Sequence, residues 1–217
     1  TIKEAGMAYA ILVCKHHDGF ANWPSKYTDY SVANTPWKDG QGDVVREFVD
    51  ACRKYDIRIG LYYSPAEAGY QKRSPKEHDD YFINQISELL TNYGRIDYLW
   101  FDGCGSEGHE YDRKRIIRTI RDLQPEILIF NMWDPDTRWV GNEAGVANVT
   151  NSNVVSSVDF SVLTESGDDL DTERFLPAEC DFMMRDRNWF YSEYDVHTVK
   201  SVEELVSLYY YSVGNGA

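Results

Sequence analysis

Two short stretches hold side chains able to do chemistry. In CKHHDGF, residues 14–20, the adjacent His16 and His17 are followed by Asp18 and Gly19. In YLWFDG, residues 98–103, Asp102 comes directly after four strand-type residues and before a glycine. A carboxylate at the end of a buried strand, beside Trp100 and Phe101, has its charge in a partly apolar mouth, which suits a nucleophile or a base. An aspartate that only caps a loop by accepting nearby N–H groups fits the position equally well. The histidines allow two chemistries. With Asp102 and a glutamate from other strand ends they could ligate a metal, or they could hydrogen-bond the hydroxyls of a polar substrate. On an extended segment neighbouring side chains point to opposite faces, so both rings reach one ion only if the chain bends there.

The aromatic residues favour a sugar. Trp23, Tyr27, Trp37, Trp100, Trp133, Trp139 and Trp189 fall mostly after strands, and flat apolar faces with a polar rim match a pyranose ring, although most aromatic side chains simply pack. A glycosidase needs a second carboxyl group. Glu143, in RWVGNEAG, and Glu179, in LPAECD, compete for that role. Either could act as a general acid if apolar surroundings hold it protonated. Glu107, Glu165 and Glu193 lie in polar loops and read as solvated surface.

Elements that could position these groups alternate along the chain. MAYAILVC reads as a strand, and GDVVREFVDACRKYD as a helix with Val45, Phe48, Val49 and Cys52 on one face. IRIGLYYS is a second strand. Ser74, Pro75 and Glu77 supply an N-cap, a first-turn proline and a capping-box glutamate. The helix they open buries Phe82, Ile86, Leu89 and Tyr93 and stops at Gly94. RIDYLWFD is a strand, followed by a helix with Ile116, Ile117, Ile120 and Leu123 inward and a strand EILIFNM. Residues 132–174 read as irregular, RFLPAECDFMM as a strand, and SVEELVSLYYYSVG as a closing helix with a Ser201–Glu204 capping box.

This alternation predicts a parallel α/β architecture. Polar groups gather at successive C-terminal strand ends: His16 and His17, then Tyr62, Tyr63 and Ser64, then Asp102, then Asn131. A (β/α)8-like TIM barrel builds its active site that way. About five strand–helix units are visible, so a complete barrel needs strands beyond those present. No GxGxxG follows the first strand and no GxxxxGK[ST] occurs, which argues against a nucleotide site.

With 217 residues, 42% of them hydrophobic and 14% aromatic, the chain can bury a sizeable core. The formal net charge of −14 disfavours a nucleic-acid partner. No apolar run approaches the ~20 residues of a membrane span. Cys14, Cys52, Cys104 and Cys180 form no CxxC pair and read as free, mostly buried thiols. TIKEAG reads as the last turn of a helix closed by Gly6, and YYYSVGNGA ends where a strand would be expected, so both ends read as cut.

Taken together, CKHHDGFANWPSKYTDYSV, GDVVREFVDACRKYDIRIGLYYSP, LLTNYGRIDYLWFDG, RWVGNE and PAECD resemble the catalytic domain of α-L-fucosidases, glycoside hydrolase family 29. The likeness is interrupted only around residues 150–173. It implies a retaining exoglycosidase, free of metal and cofactor, on a (β/α) barrel followed by a β-sandwich. Residues 1–217 would then be a partial barrel domain without its first strand, which carries another fucose-binding histidine, and without the sandwich. By the resemblance Asp102 is the nucleophile, His16 and His17 grip fucose hydroxyls, and Tyr62, Trp100 and Trp189 line the sugar. Glu143 is the expected acid/base and Glu179 the runner-up, as in the branch acting on α-1,3 and α-1,4 linkages. The implied partner is a fucosylated oligosaccharide or glycoconjugate, and the implied location is extracytoplasmic. A metal-dependent barrel hydrolase built on the His-His-Asp cluster, and an inactive fucose-binding barrel, are the alternatives.

Overall fold

The computed structural model describes residues 1–67, 72–103, 108–161 and 167–217. Two compact units divide the chain, Thr1–Asp134 and Pro135–Ala217.

The first unit is a four-stranded parallel sheet in the order β1 (Tyr9–Lys15), β2 (Arg58–Tyr63), β3 (Tyr98–Phe101) and β4 (Leu128–Phe130). Helices α1 (Val44–Lys54), α2 (Pro75–Asn92) and α3 (Arg113–Leu123) fill the crossovers. Parallel neighbours need such connections, and the helices they bring cover the sheet. Gly60 lets β1 and β2 close up, since a Cβ there would lie 2.6 Å from Ile11 Cγ1.

Capping chemistry sets the helix boundaries. Asp43 accepts from the Arg46 amide at 2.8 Å to open α1. Ser74 and Glu77 form the expected reciprocal box at the start of α2. Phe82, Ile86, Leu89 and Tyr93 are all buried, and the chain leaves the helix through Gly94 at φ 71°. On α1, Val45, Val49 and Cys52 are buried and Phe48 is half-buried.

On α3 only Ile116 and Ile120 are buried; Leu123, expected inward, is 38% exposed. The next residue, Gln124, turns back to donate to the Leu90 and Gly94 carbonyls. That leaves Leu123 on the wall of an open groove of about 530 Å³, with Leu90, Ile96 and Ile127. Cys14 and Cys52 are buried free thiols and Cys180 a half-buried one, whereas Cys104 lies outside the described residues.

The second unit departs further from expectation. β5 (Arg138–Trp139) pairs in parallel with β8 (Ala178–Glu179). Between them β6 (Val154–Asp159) and β7 (Gly167–Phe175) form an antiparallel hairpin inside the stretch expected to be irregular. These strands are mostly exposed and polar, so the hydrophobic period of a half-buried strand is absent and the backbone ladder alone defines them. The single strand expected over residues 174–184 is split. Arg174 and Phe175 end β7, Pro177 interrupts pairing because it has no N–H, and only Ala178 and Glu179 continue. Helix α4 (Val202–Ser212) has the expected Ser201–Glu204 capping box. Among the described residues the strands close no barrel, and no helix is long and apolar enough to cross a membrane.

Candidate active site

Strand register sets up the site in the first unit. Val13, Tyr62, Trp100 and Phe130 are paired in one row across the sheet. Their rings continue as a stack: Tyr62 on Trp100 at 5.1 Å between centroids, and Trp100 on Phe130 at 4.2 Å. The alternate residues Tyr63 and Phe101 face the other way, against Phe82 of α2. One face of the sheet therefore packs on helices, and the other presents an aromatic ladder.

At the end of β1 the register slips between Val13 and Lys15. Such bulges re-aim side chains. The HHDG segment that follows is a tight turn: the Gly19 amide donates to the His16 carbonyl at 3.0 Å, with Gly19 at φ 85°. The turn supplies the bend that an extended segment lacks and that both rings need to reach one point. Their rings lie 4.2 Å apart, and His16 stacks on Tyr62 at 5.8 Å, extending the ladder. Asp18 is exposed and accepts from the Phe20 amide, so it holds the turn.

Asp102 is the residue after β3, and its amide donates to the Tyr63 carbonyl at 3.3 Å. Its side chain is 20% exposed and meets the ladder's polar edge. The Tyr62 hydroxyl donates to Asp102 Oδ2, and His17 Nε2 lies 3.4 Å from the same oxygen. His17 Nδ1 is 2.6 Å from Ser64 Oγ. The ligating atoms of His16, His17 and Asp102 fall within 4.8 Å of one another, a span also compatible with a metal ion. Burial, reinforced by the neighbouring His17 and partly offset by Asp102 and Asp18, pushes the His16 pKa down and favours a neutral imidazole.

Beneath the rim lies a charged cluster that the sequence does not announce. Lys15, fully buried, reaches Glu67 Oε2 at 2.9 Å, and Arg73 pairs with the other oxygen. Burial lowers the Lys15 pKa to about 8 against the pull of Glu67. At Glu67 burial acts upward, but Lys15 and Arg73 outweigh it and the net shift is down. Lys15 and Glu67 are 52 positions apart, so no local motif links them.

Not every aromatic fits a sugar platform. Trp23 is buried and donates to Glu88 Oε2 at 2.9 Å, which makes it a core anchor. Trp37 and Tyr27 are exposed. Asn131, at the end of β4, is buried with φ 67°.

The remaining candidates lie in the second unit. Glu143 follows β5 and is exposed, so the apolar surroundings expected of a proton donor are not met there within that unit. Asn142 ties the turn that carries it, accepting from the Ala144 amide at 3.0 Å and donating to the Val146 carbonyl at 2.9 Å. Glu179 is half-buried on β8, opposite Trp139, whose Nε1 donates to Asp181 at 2.7 Å. Trp189 is 49% exposed and Glu193 is exposed as expected, while Glu107 and Glu165 lie outside the described residues.

The chain matches the family model described as Alpha-L-fucosidase over residues 1–217. It is 37% identical to alpha-L-fucosidase 1 of Arabidopsis thaliana over 222 residues, 98% of this chain and 43% of that protein. A glycoside hydrolase 29 family member from an unknown rumen bacterium superimposes with a TM-score of 0.83 at 39% identity, over 99% of this chain and 42% of that one. A family 29 fucosidase of Ruminococcus gnavus in complex with fucose matches with a TM-score of 0.80 at 26% identity, over 100% of this chain and 50% of that one. The chain spans less than half the length of the curated plant relatives.

Proposed function

The chain belongs to the α-L-fucosidase family, and from that premise we propose that the complete protein is a retaining exoglycosidase releasing terminal α-L-fucose, α-1,3- or α-1,4-linked, from glycans. The observation that carries this is the Tyr62–Asp102–His17 constellation at the C-terminal end of a parallel sheet, beside an aromatic ladder. Tyr62 fixes the plane of the Asp102 carboxylate, and His16 and His17 crowd the space that a sugar's hydroxyls would occupy. Trp100 supports Tyr62 from behind, and by the family resemblance Trp189 is a further aromatic residue assigned to the sugar.

The reaction proceeds in two displacements. A carboxylate oxygen of Asp102 attacks the anomeric carbon as the glycosidic C–O bond breaks, and Glu143 gives its proton to the departing oxygen. The same glutamate, now a carboxylate, takes a proton from water. That water attacks the anomeric carbon, breaks the ester to Asp102, and releases fucose with retained configuration. Such a pair works with its carboxyl groups about 5–5.5 Å apart. Glu179 is the alternative acid/base.

In the full-length product the parallel strands would belong to a (β/α)8 barrel followed by a β-sandwich, in an extracytoplasmic setting. The deciding experiment is Asp102→Gly in the full-length gene product. Hydrolysis of an aryl fucoside should fall by at least about 10³-fold, and azide should restore turnover. Full activity in the variant would end this reading.

A second reading rests on the compact grouping of His16, His17 and Asp102. It is a metal-dependent hydrolase, and it predicts loss of activity with a chelator and recovery with zinc. The fucosidase reading predicts no response to a chelator. Fucose binding without turnover would instead indicate an inactive binding barrel.

A further inference from the structure

We propose that Ser64 is a positioning residue that holds neutral His17 as its Nδ1–H tautomer, so that Nε2 meets a sugar hydroxyl as an acceptor. The proposal rests on the fucosidase reading and deepens it by fixing the polarity of one sugar contact.

Proton bookkeeping at a buried hydroxyl carries the argument. Ser64 is fully buried, and its amide donates to the Lys15 carbonyl at 2.9 Å, pinning it between the ends of β1 and β2. Its Oγ lies 2.6 Å from the Ala66 carbonyl oxygen and 2.6 Å from His17 Nδ1. A carbonyl can only accept, so the single hydroxyl proton points at Ala66. The contact to His17 then closes only if Nδ1 bears a hydrogen and Ser64 Oγ accepts it. The reverse arrangement would set two lone-pair atoms against each other at the carbonyl, in a place closed to water.

Asp102 does not compete for this choice. Its Oδ2 lies 3.4 Å from Nε2, beyond the range of about 2.7–3.2 Å for a good N–H···O bond, whereas the Ser64 contact at Nδ1 is 2.6 Å. A neutral His17 therefore turns an Nε2 lone pair toward the rim. The sugar hydroxyl that meets it must donate. Second-sphere partners fix imidazole tautomers in this way in other sites.

The test uses the full-length gene product labelled with ¹⁵N-histidine. Long-range ¹H–¹⁵N correlation spectra, with His17 assigned by its loss in His17→Gln, should show a protonated Nδ1 and an unprotonated Nε2 in the neutral ring. In Ser64→Ala the Nε2–H form should appear, and kcat/KM for an aryl fucoside should drop about tenfold, the worth of one well-placed hydrogen bond. Ser64→Thr, which keeps the hydroxyl, should restore most of it. An Nε2–H tautomer in the unmodified protein overturns the inference without need of any variant. So does a Ser64→Ala variant with altered tautomer and unchanged kcat/KM. Absence of fucoside turnover in the unmodified protein, with the Nδ1–H form in place, would sink the fucosidase reading alone.

Discussion

Residues 1–134 and 135–217 bury apolar surface very differently. In the first unit α1 packs on β1 and β2, Phe82 of α2 meets Tyr63 of β2 and Phe101 of β3, and α2 alone buries Tyr81, Phe82, Ile86, Leu89 and Leu90. Among the described residues of the second unit the buried hydrophobic side chains are Trp139, Ala147, Val158, Leu176 and Ala178, and α4 buries none. Val202, Val206, Tyr209, Tyr210 and Tyr211 of that helix are all exposed. Exposed apolar surface of this extent calls for a cover, which the proposed barrel would supply. The residues proposed to grip the sugar and attack it stand on the well-packed unit. Both candidate proton donors stand on the sparsely packed one, where turns and two-residue strands hold them. The proposed nucleophile thus stands on a locally packed unit, and both candidate proton donors stand on short, sparsely packed elements.

The largest effect that can sharpen this contrast comes from the two glutamates. With a natural glycan, Glu143→Ala should lower turnover by about 10²–10⁴-fold. With an activated aryl fucoside its first displacement should be nearly spared, because a good leaving group needs no proton. Glu179→Ala should not show that split. If the leaving-group dependence follows Glu179 instead, the half-buried strand position is the acid/base and the exposed turn is not.

The next effect probes the packed unit. Glu67→Ala would leave Lys15, fully buried, and Arg73 without their shared carboxylate. Breaking a buried pair by removing one partner costs about 3–5 kcal/mol. Denaturant unfolding of the full-length protein should show a loss of that order, while Glu67→Gln, which keeps hydrogen-bonding capacity, should lose less. A loss below about 1 kcal/mol would place this cluster with solvated surface pairs and weaken the claim that the rim rests on rigid ground.

How much of this is legible in the sequence follows the same division. Ser74, Pro75, Glu77 and Gly94 bracket α2 because capping is local chemistry. Tyr62, Asp102 and Asn131 are legible as strand-end residues because buried parallel strands are short apolar runs with sharp polar limits. The local pattern leaves the approach of His16 to His17 conditional on a bend, because the turn closed at Gly19 after a bulge has no period to announce it. Lys15 and Glu67 meet across 52 positions, and no spacing rule reaches that far. The β6–β7 hairpin escaped because its strands are exposed and polar, so periodicity carries no signal for them. Leu123 lies exposed against its helical period because periodicity does not report that Gln124 turns back to the Leu90 carbonyl beside an open groove.

The smallest effect sets the same motif in both units. Ser74 and Ser201 each open a helix with a full capping box, and replacing either by alanine should cost about 1 kcal/mol. The cost should surface in different ways. Helix α2 is embedded in the core, so its amides exchange through large-scale unfolding, and Ser74→Ala should lower the denaturation midpoint of the whole first unit. Helix α4 has no buried residue of its own in the second unit, and segments with few buried contacts open locally. Ser201→Ala should therefore speed hydrogen exchange of α4 amides about fivefold, the equivalent of ~1 kcal/mol, and leave α2 amides unchanged. If Ser201→Ala accelerates exchange in α2 as well, the two units unfold as one cooperative body in the full-length protein. The candidate proton donors would then stand on ground as firm as that of the proposed nucleophile.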